Sequence, residues 1–324
     1  MERRRLGGSG LSVSRVVLGC GSIGGIGSPA QTRGKGLSPV EGLAQIDCAV
    51  GIGVNTLDTA NSYAGGVSEE VVGQWVAGHP DAEVLIATKV GNLVHPDQHD
   101  IDLSPAHIAE QVEASRSRLG RIDLYLSHAP DPSTPIEATL EAFAAVLDSG
   151  RARAIGGCHL GAVELELALD AAERNGLPGY QWVQNEYNLL ARDDEIDVLR
   201  VVRERGLGYT PFSPLAGGVL AGRYRRGAEP PPGSRMAIIP SHLSDLDDAA
   251  WDGLDGLAAA ARRRGVSVPA LALAWVLSAP GVTAPLVAPR KVEQFADLQQ
   301  ALEIELNEDE RAELAALFPV ARGT

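Results

Sequence analysis

Lysine is nearly missing from this 324-residue chain: Lys35, Lys89 and Lys291 stand against 25 arginines. Aromatic residues make up only 4% and methionine occurs twice, so a core must be filled with Ala, Val and Leu; the 44% apolar content is ample for one. Cysteine is equally sparse. Cys20, Cys48 and Cys158 lie in unrelated segments, with no Cys-x-x-Cys pair and no Cys/His metal spacing. That pattern excludes a disulfide framework, offers no metal site and fits a reducing compartment. Nothing approaches the ~18 to 20 apolar residues of a membrane span, and no continuous apolar core follows Met-Glu-Arg-Arg-Arg at the N-terminus. A soluble, cytoplasmic protein is expected. Positive charge is also in deficit. A net charge of −14 argues against nucleic acid or an anionic membrane as partner, so an anionic ligand needs a local basic cluster.

What is present is an alternation of short apolar runs and helical patterns. A possible hairpin, Arg4–Leu6 turning at Gly7-Gly8 back to Ser12–Ser14, comes first. Strands are expected at Val16–Leu18, Asn55–Asp58, Val84–Val90, Ile122–Ser127, Ala154–Gly157, Trp182–Gln184, Gly208–Phe212 and Ala284–Val287. They are continuously apolar, which indicates burial on both faces and a parallel sheet. Helix starts are expected at Ser68, Ser104-Pro and Thr134-Pro, and further helices over Val163–Arg174, Glu195–Arg205, Asp247–Arg264 and Val268–Leu277. Eight strand–helix units predict an α/β fold, a (β/α)8 TIM barrel with an N-terminal β-hairpin and an extra C-terminal helix, Glu308–Leu317. No low-complexity linker divides the chain, so residues 1–324 read as one domain. The Pro-rich stretch 229–240 falls in the seventh strand–helix loop and reads as part of a lid, not a domain boundary.

The rare Lys89 ends Val-Leu-Ile-Ala-Thr-Lys, where burial is costly unless the ammonium is paired. Active sites of such barrels gather at the C-terminal strand ends, so Asp58, Lys89 and His128 converge, and Tyr63 in the following loop can fold over them. Reducing a carbonyl needs a hydride donor and a proton donor aimed at the developing alkoxide. Tyrosine at its ordinary pKa of ~10 is a weak acid, and a neighbouring ammonium is expected to lower that value. A carboxylate keeps the lysine charged, and a histidine orients the carbonyl. Tyr63, Lys89, Asp58 and His128 fill these roles.

The arrangement resembles the aldo-keto reductase family nearly end to end. Asp58-Thr-Ala-Asn-Ser-Tyr63, Ile86-Ala-Thr-Lys89 and Asp123-Leu-Tyr-Leu-Ser-His128 are similar to its three catalytic stretches. Val183-Gln184-Asn185-Glu-Tyr-Asn188 and Phe212-Ser-Pro-Leu-Ala-Gly-Gly218 look like its nicotinamide-facing and pyrophosphate-facing strands. The resemblance implies NADP(H), with NAD(H) as the alternative, bound across the barrel mouth, and a small carbonyl or alcohol substrate. It also implies that Gln184 holds the carboxamide and Phe212 stacks on the ring. Ser213, Leu215 and Arg223 would meet the pyrophosphate beneath a lid that includes Arg235. Arg290, with Lys291, would meet a 2′-phosphate, and a segment reaching Gln294 and Asp297 would embrace the adenosine half. Cys158 and His159 stand where many relatives carry Ser and Asn, and Leu298 where they carry an adenine-facing Asn.

Other readings remain open. The same residues suit a sugar or lactol dehydrogenase running oxidatively. A Schiff-base enzyme using Lys89 leaves Gln184, Phe212 and Arg290 unexplained, and a non-catalytic cofactor-sensing subunit leaves the tetrad unexplained. His95, His99 and His107 read as loop polarity rather than a metal site. Gly24-Gly25-Ile26-Gly27 reads as a tight turn as readily as a phosphate loop, Trp75 as core, and Arg262–Arg264 as a helix C-terminus favoured by the dipole. Specificity is expected from loops 26–39, 91–103 and 218–245. Oligomeric state is not legible.

Overall fold

Eight short apolar segments pair side by side in parallel, as strands buried on both faces must. The computed structural model of the protein describes residues 1–92, 101–244 and 246–319. Strands β1 (Arg3–Arg5) and β2 (Ser12–Ser14) form the antiparallel hairpin. Strands β3 (Val17–Gly19), β4 (Thr56–Asp58), β5 (Leu85–Val90) and β6 (Leu124–Ser127) follow, then β7 (Ala154–Cys158), β8 (Trp182–Gln184), β9 (Gly208–Tyr209) and β10 (Leu286–Val287). The sheet runs β10-β3-β4-β5-β6-β7-β8-β9. Its ends meet: the amides of Thr283 and Leu286 donate to the carbonyls of Tyr209 and Pro211, each at 2.8 Å. The result is the expected (β/α)8 barrel with its hairpin.

The period of two along each strand sorts side chains into inside and outside. Val17, Ala87, Leu124, Leu126, Ala154, Cys158, Trp182, Ala284 and Leu286 form one buried cluster within the ring. Ile86, Tyr125, Ile155, Val183, Tyr209 and Val287 alternate with them and belong to the larger cluster under the helices. Two residues beyond Ala87 the inward position is Lys89, and beyond Trp182 it is Gln184. Polar groups therefore occupy the upper layer of the interior.

The helices are α1 (Pro39–Gly51), α2 (Val67–Gly78), α3 (Pro105–Leu119), α4 (Ile136–Asp148), α5 (Ala162–Asn175) and α6 (Val198–Glu204). They continue with α7 (Arg235–Ile238), α8 (Ser241–Ser244), α9 (Asp248–Arg264), α10 (Val268–Leu277), α11 (Gln294–Glu303) and α12 (Glu308–Ala316). Ser104 caps α3 by accepting from the His107 amide at 3.4 Å, and Asp247 caps α9 by accepting from Ala250 at 2.8 Å. Two expected caps fail. Gly66 precedes α2, while the Ser68 hydroxyl turns inward to donate to the Cys20 carbonyl at 2.9 Å. Thr134 donates to Asp131 at 2.7 Å, leaving Pro135 at the start of α4. The expected Glu195–Arg205 helix shortens to α6, because Asp193–Glu195 forms a separate 3-10 turn. Helix α1 opens on Ser38-Pro39-Val-Glu41, a capping box. Trp75 is core, and Arg262–Arg264 close α9. His95 and His99 lie outside the described residues. Among the described residues no helix is long and apolar enough to cross a membrane.

The hairpin closes the N-terminal end of the barrel, with Leu6 fully buried in the interior cluster. Gly7 permits this. A Cβ there would stand 2.2 Å from the Gln181 carbonyl oxygen, at a φ of +50°. Asn55 stitches hairpin to barrel: its Oδ1 accepts from the Ser14 amide at 2.6 Å, and its Nδ2 donates to the Ser12 carbonyl at 3.0 Å. Replacing it strands buried polar groups on both sides. Asn55→Ala is expected to lower stability by about 1–3 kcal/mol, read as a drop in urea midpoint with unchanged slope. An unaltered midpoint would contradict the anchoring role.

Candidate active site

Asp58 closes β4, Lys89 lies next to the end of β5, and His128 follows β6 directly, its amide donating to the Val90 carbonyl at 2.8 Å. Parallel register places Asp58 beside Ala87. Lys89, two residues further on, therefore points into the same barrel mouth. Tyr63 opens a short 3-10 turn, Tyr63–Gly66, that folds back over this opening.

Lys89 and Asp58 are each only 1% exposed. The ammonium binds one Asp58 carboxylate oxygen, donates to the Thr59 carbonyl at 2.9 Å and stands 3.4 Å from the Tyr63 hydroxyl. Gln184 Nε2 donates to the other Asp58 oxygen at 3.0 Å, and the Cys158 thiol reaches Gln184 Oε1 at 3.7 Å. Burial would drive the lysine's proton off, but Asp58, with Tyr63 and Cys158, outweighs it and holds the pKa above the ordinary value. Burial pushes the Cys158 thiol up, so Cys158 is no nucleophile at neutral pH.

One expectation reverses. Part of the Tyr63 side chain remains open to solvent, yet desolvation of its hydroxyl is the largest influence and raises the pKa. Lys89 opposes the rise and Asp58 adds to it, so the net direction is upward, not downward. The phenol is thus held protonated at neutral pH. The His128 ring meets the Tyr63 ring edge-on, with centroids 5.5 Å apart. Burial, then Lys89 and His159, hold the His128 imidazole well below its usual range, so it is neutral. Its Nδ1 is buried without a hydrogen-bond partner.

A second group lines the mouth. His159, at a φ of +55°, sets its ring 4.9 Å from that of Phe212. Ser213, also left-handed, has its carbonyl held by Asn188 Nδ2 at 3.0 Å. The half-buried Leu215 leads into a 3-10 stretch whose Ala216, Gly217 and Gly218 are all left-handed, a backbone concavity suited to an anion. Arg235 in α7 lies over it, since a Cβ on Gly217 would be 3.3 Å from Arg235 Cδ. Arg223 is exposed beyond this stretch.

Elsewhere at the mouth, Arg290 is half-buried and Lys291 exposed, and Gln294 Oε1 accepts both their amides at 2.7 and 3.1 Å. That oxygen is committed to shaping the turn. Asp297 is half-buried on α11, and Leu298, 2% exposed, packs in the core instead of facing a ligand. Gly24 and Gly27 are left-handed, and Gly24 packs against Ala64 and Val67; the glycine-rich segment is a tight turn against the Tyr63 loop. His107 lies in α3, 3.7 Å from Asp102. Thr59, whose carbonyl helps hold the ammonium, went unsingled in the sequence; a backbone acceptor leaves no signal in residue type.

The family model described as Aldo/keto reductase family matches residues 16–318. Versiconal hemiacetal acetate reductase of Aspergillus parasiticus is 33% identical over 96% of this chain and 95% of its own length. An uncharacterized oxidoreductase of Bacillus subtilis (strain 168) is 33% identical over 98% of this chain and 96% of its own. A probable voltage-gated potassium channel subunit beta of Arabidopsis thaliana is 34% identical over 94% and 92%. With the matched span running from the first barrel strand into the C-terminal segment, the chain belongs to the aldo-keto reductase family.

Proposed function

We propose that this protein is an NAD(P)H-dependent oxidoreductase that interconverts an aldehyde or ketone and an alcohol. The observation that carries the reading is the buried Lys89, held by Asp58 and 3.4 Å from the Tyr63 hydroxyl. An ammonium so placed can stabilise the phenolate left when the proton departs. Tyr63 donates that proton to the carbonyl oxygen, and the neutral His128 orients the same oxygen by a hydrogen bond. Asp58 keeps Lys89 charged, and Gln184 fixes the carboxylate's second oxygen.

The surrounding residues fit a dinucleotide cofactor: an aromatic wall at Phe212 and His159, a left-handed concavity after Ser213, and basic side chains at Arg223, Arg290 and Lys291. When bound, it supplies the hydride from nicotinamide C4. Gln184 keeps one amide N–H for the carboxamide, and His159 adds a donor; Cys158 serves Gln184 instead. Ser213, Leu215 and Arg223 bind the pyrophosphate beneath Arg235. Arg290 and Lys291 suit a 2′-phosphate, which favours NADP(H) over NAD(H), and Asp297 with the Gln294 amide borders the adenosine. The likeness to a hemiacetal acetate reductase adds lactols, oxidised in the reverse direction by the same residues, to the substrates to be tested.

Tyr63→Phe and Lys89→Met are each expected to lower kcat by about 10²–10⁴-fold, while cofactor still quenches tryptophan fluorescence. Near-normal rates in both would refute the roles, and a wild type silent across a carbonyl and alcohol panel would favour the non-catalytic reading. The pH dependence follows from the raised phenol pKa. Reduction uses the protonated phenol and stays level across neutral pH; oxidation uses the phenolate and climbs toward alkaline pH. The neutral His128 adds no acidic limb near 6.5. An oxidative rate that levels off below about pH 8 would remove Tyr63 from the proton-transfer role. Arg290→Ala is expected to weaken NADPH binding at least about tenfold more than NADH binding; equal losses would take Arg290 off the phosphate.

A further inference from the structure

Behind the barrel wall, outside the mouth, lies a second ion pair, its carboxylate buried and its guanidinium side chain 24% exposed. Glu69, in the first turn of α2, is 0% exposed. Its Oε1 accepts from the Thr88 hydroxyl at 2.5 Å, and its Oε2 from Arg118 Nε at 2.6 Å. Thr88 immediately precedes Lys89, so its side chain leaves the sheet on the opposite face. Pinning the Thr88 hydroxyl fixes the rotation of β5 about its own axis, and with it the direction of Lys89.

Arg118, from the last turn of α3, reaches the other catalytic segment. A Cβ on Gly66 would lie 3.4 Å from both Arg118 Cδ and Nε, so the side chain runs directly against that residue. Gly66 ends a run of three left-handed residues, Ala64 (φ 51°), Gly65 (φ 71°) and Gly66 (φ 100°), that carries the chain from Tyr63 into α2. Such a turn persists only when its surroundings over-determine it, most of all at Ala64. One carboxylate thus bridges the residue beside Lys89 and the arginine against the Tyr63 turn.

Stability alone does not account for this pair. A buried ion such as the Glu69 carboxylate carries a desolvation penalty of several kcal/mol, and apolar replacements of a buried pair are often neutral or stabilising. Around it Arg118 Nη2, Ser115 Oγ and the Tyr125 hydroxyl are buried without partners. The arrangement sacrifices hydrogen bonds while holding two segments in register. We propose that Glu69 and Arg118 are positioning residues that set the spacing between the Tyr63 hydroxyl and the Lys89 ammonium. The inference rests on the roles assigned above to Tyr63 and Lys89.

The test compares Glu69→Gln, Thr88→Val and Thr88→Ser with wild type and Tyr63→Phe, reading kcat, KM, cofactor affinity by tryptophan fluorescence, and Tm. Small misplacements of reacting groups cost rate before binding, so Glu69→Gln and Thr88→Val are expected to lose about tenfold or more in kcat. Cofactor affinity should stay within about twofold and Tm within a few degrees, while Thr88→Ser restores the rate. Should Glu69→Gln fail to fold, the apolar pair Glu69→Leu/Arg118→Met replaces it, with the same expected loss of kcat in a folded protein. Wild-type kcat in folded Glu69 and Thr88 variants overturns the proposal while leaving the reading of the mouth intact, provided Tyr63→Phe is inactive. A fully active Tyr63→Phe overturns both.

Discussion

A charge buried inside a barrel is the constraint on which this structure turns. Lys89 and Asp58 are both withdrawn from water, where an unpaired charge is costly. The pair survives because the interior is polar only in its upper layer. The Thr59 carbonyl and the Gln184 amide complete the hydrogen bonds that the two ions require. Below them the ring is filled with Val17, Leu124, Ala154, Trp182 and Leu286, sealed by Leu6 of the hairpin. Apolar packing at the floor therefore makes the low-dielectric setting in which the ion pair strongly influences whatever sits at the mouth.

Tyr63 shows what that setting does. The ammonium alone would lower its pKa, but desolvation and the nearby Asp58 outweigh it. The phenol thereby stays protonated, with the ammonium 3.4 Å away. His128 is held neutral first by burial and then by Lys89 and His159. Burial is thus the leading influence on both groups, and the neighbouring charges modify it. The overall charge of −14 acts differently: Arg223, Arg235, Arg290 and Lys291 make the rim locally basic against it.

The strand series, the hairpin and the tetrad were legible because each rests on local pattern: continuous apolar runs, Gly-Gly between short segments, and polar residues at strand ends. Helix caps were less so. Ser68 has the composition of a cap, yet its hydroxyl serves Cys20 and Thr59 across the barrel wall. Gln294 resembles a ligand contact, yet its carbonyl oxygen shapes the Arg290-Lys291 turn. A partner distant in sequence claimed Ser68, and the backbone of the turn just before it claimed Gln294. Glu69 lies in a helical first turn, and its partners Thr88 and Arg118 come from other elements.

By itself the sequence determined the barrel, through periodicity and burial on both strand faces, and named the four residues whose types suit proton transfer. Only the tertiary structure decided how those residues influence one another. Net pKa directions depend on competing distances and desolvation, and these are set by packing among segments far apart in the chain. It also decided which polar side chains serve the mouth and which, like Glu69 and Arg118, stand behind it, because a hydrogen bond is satisfied by proximity in space and not by order along the chain.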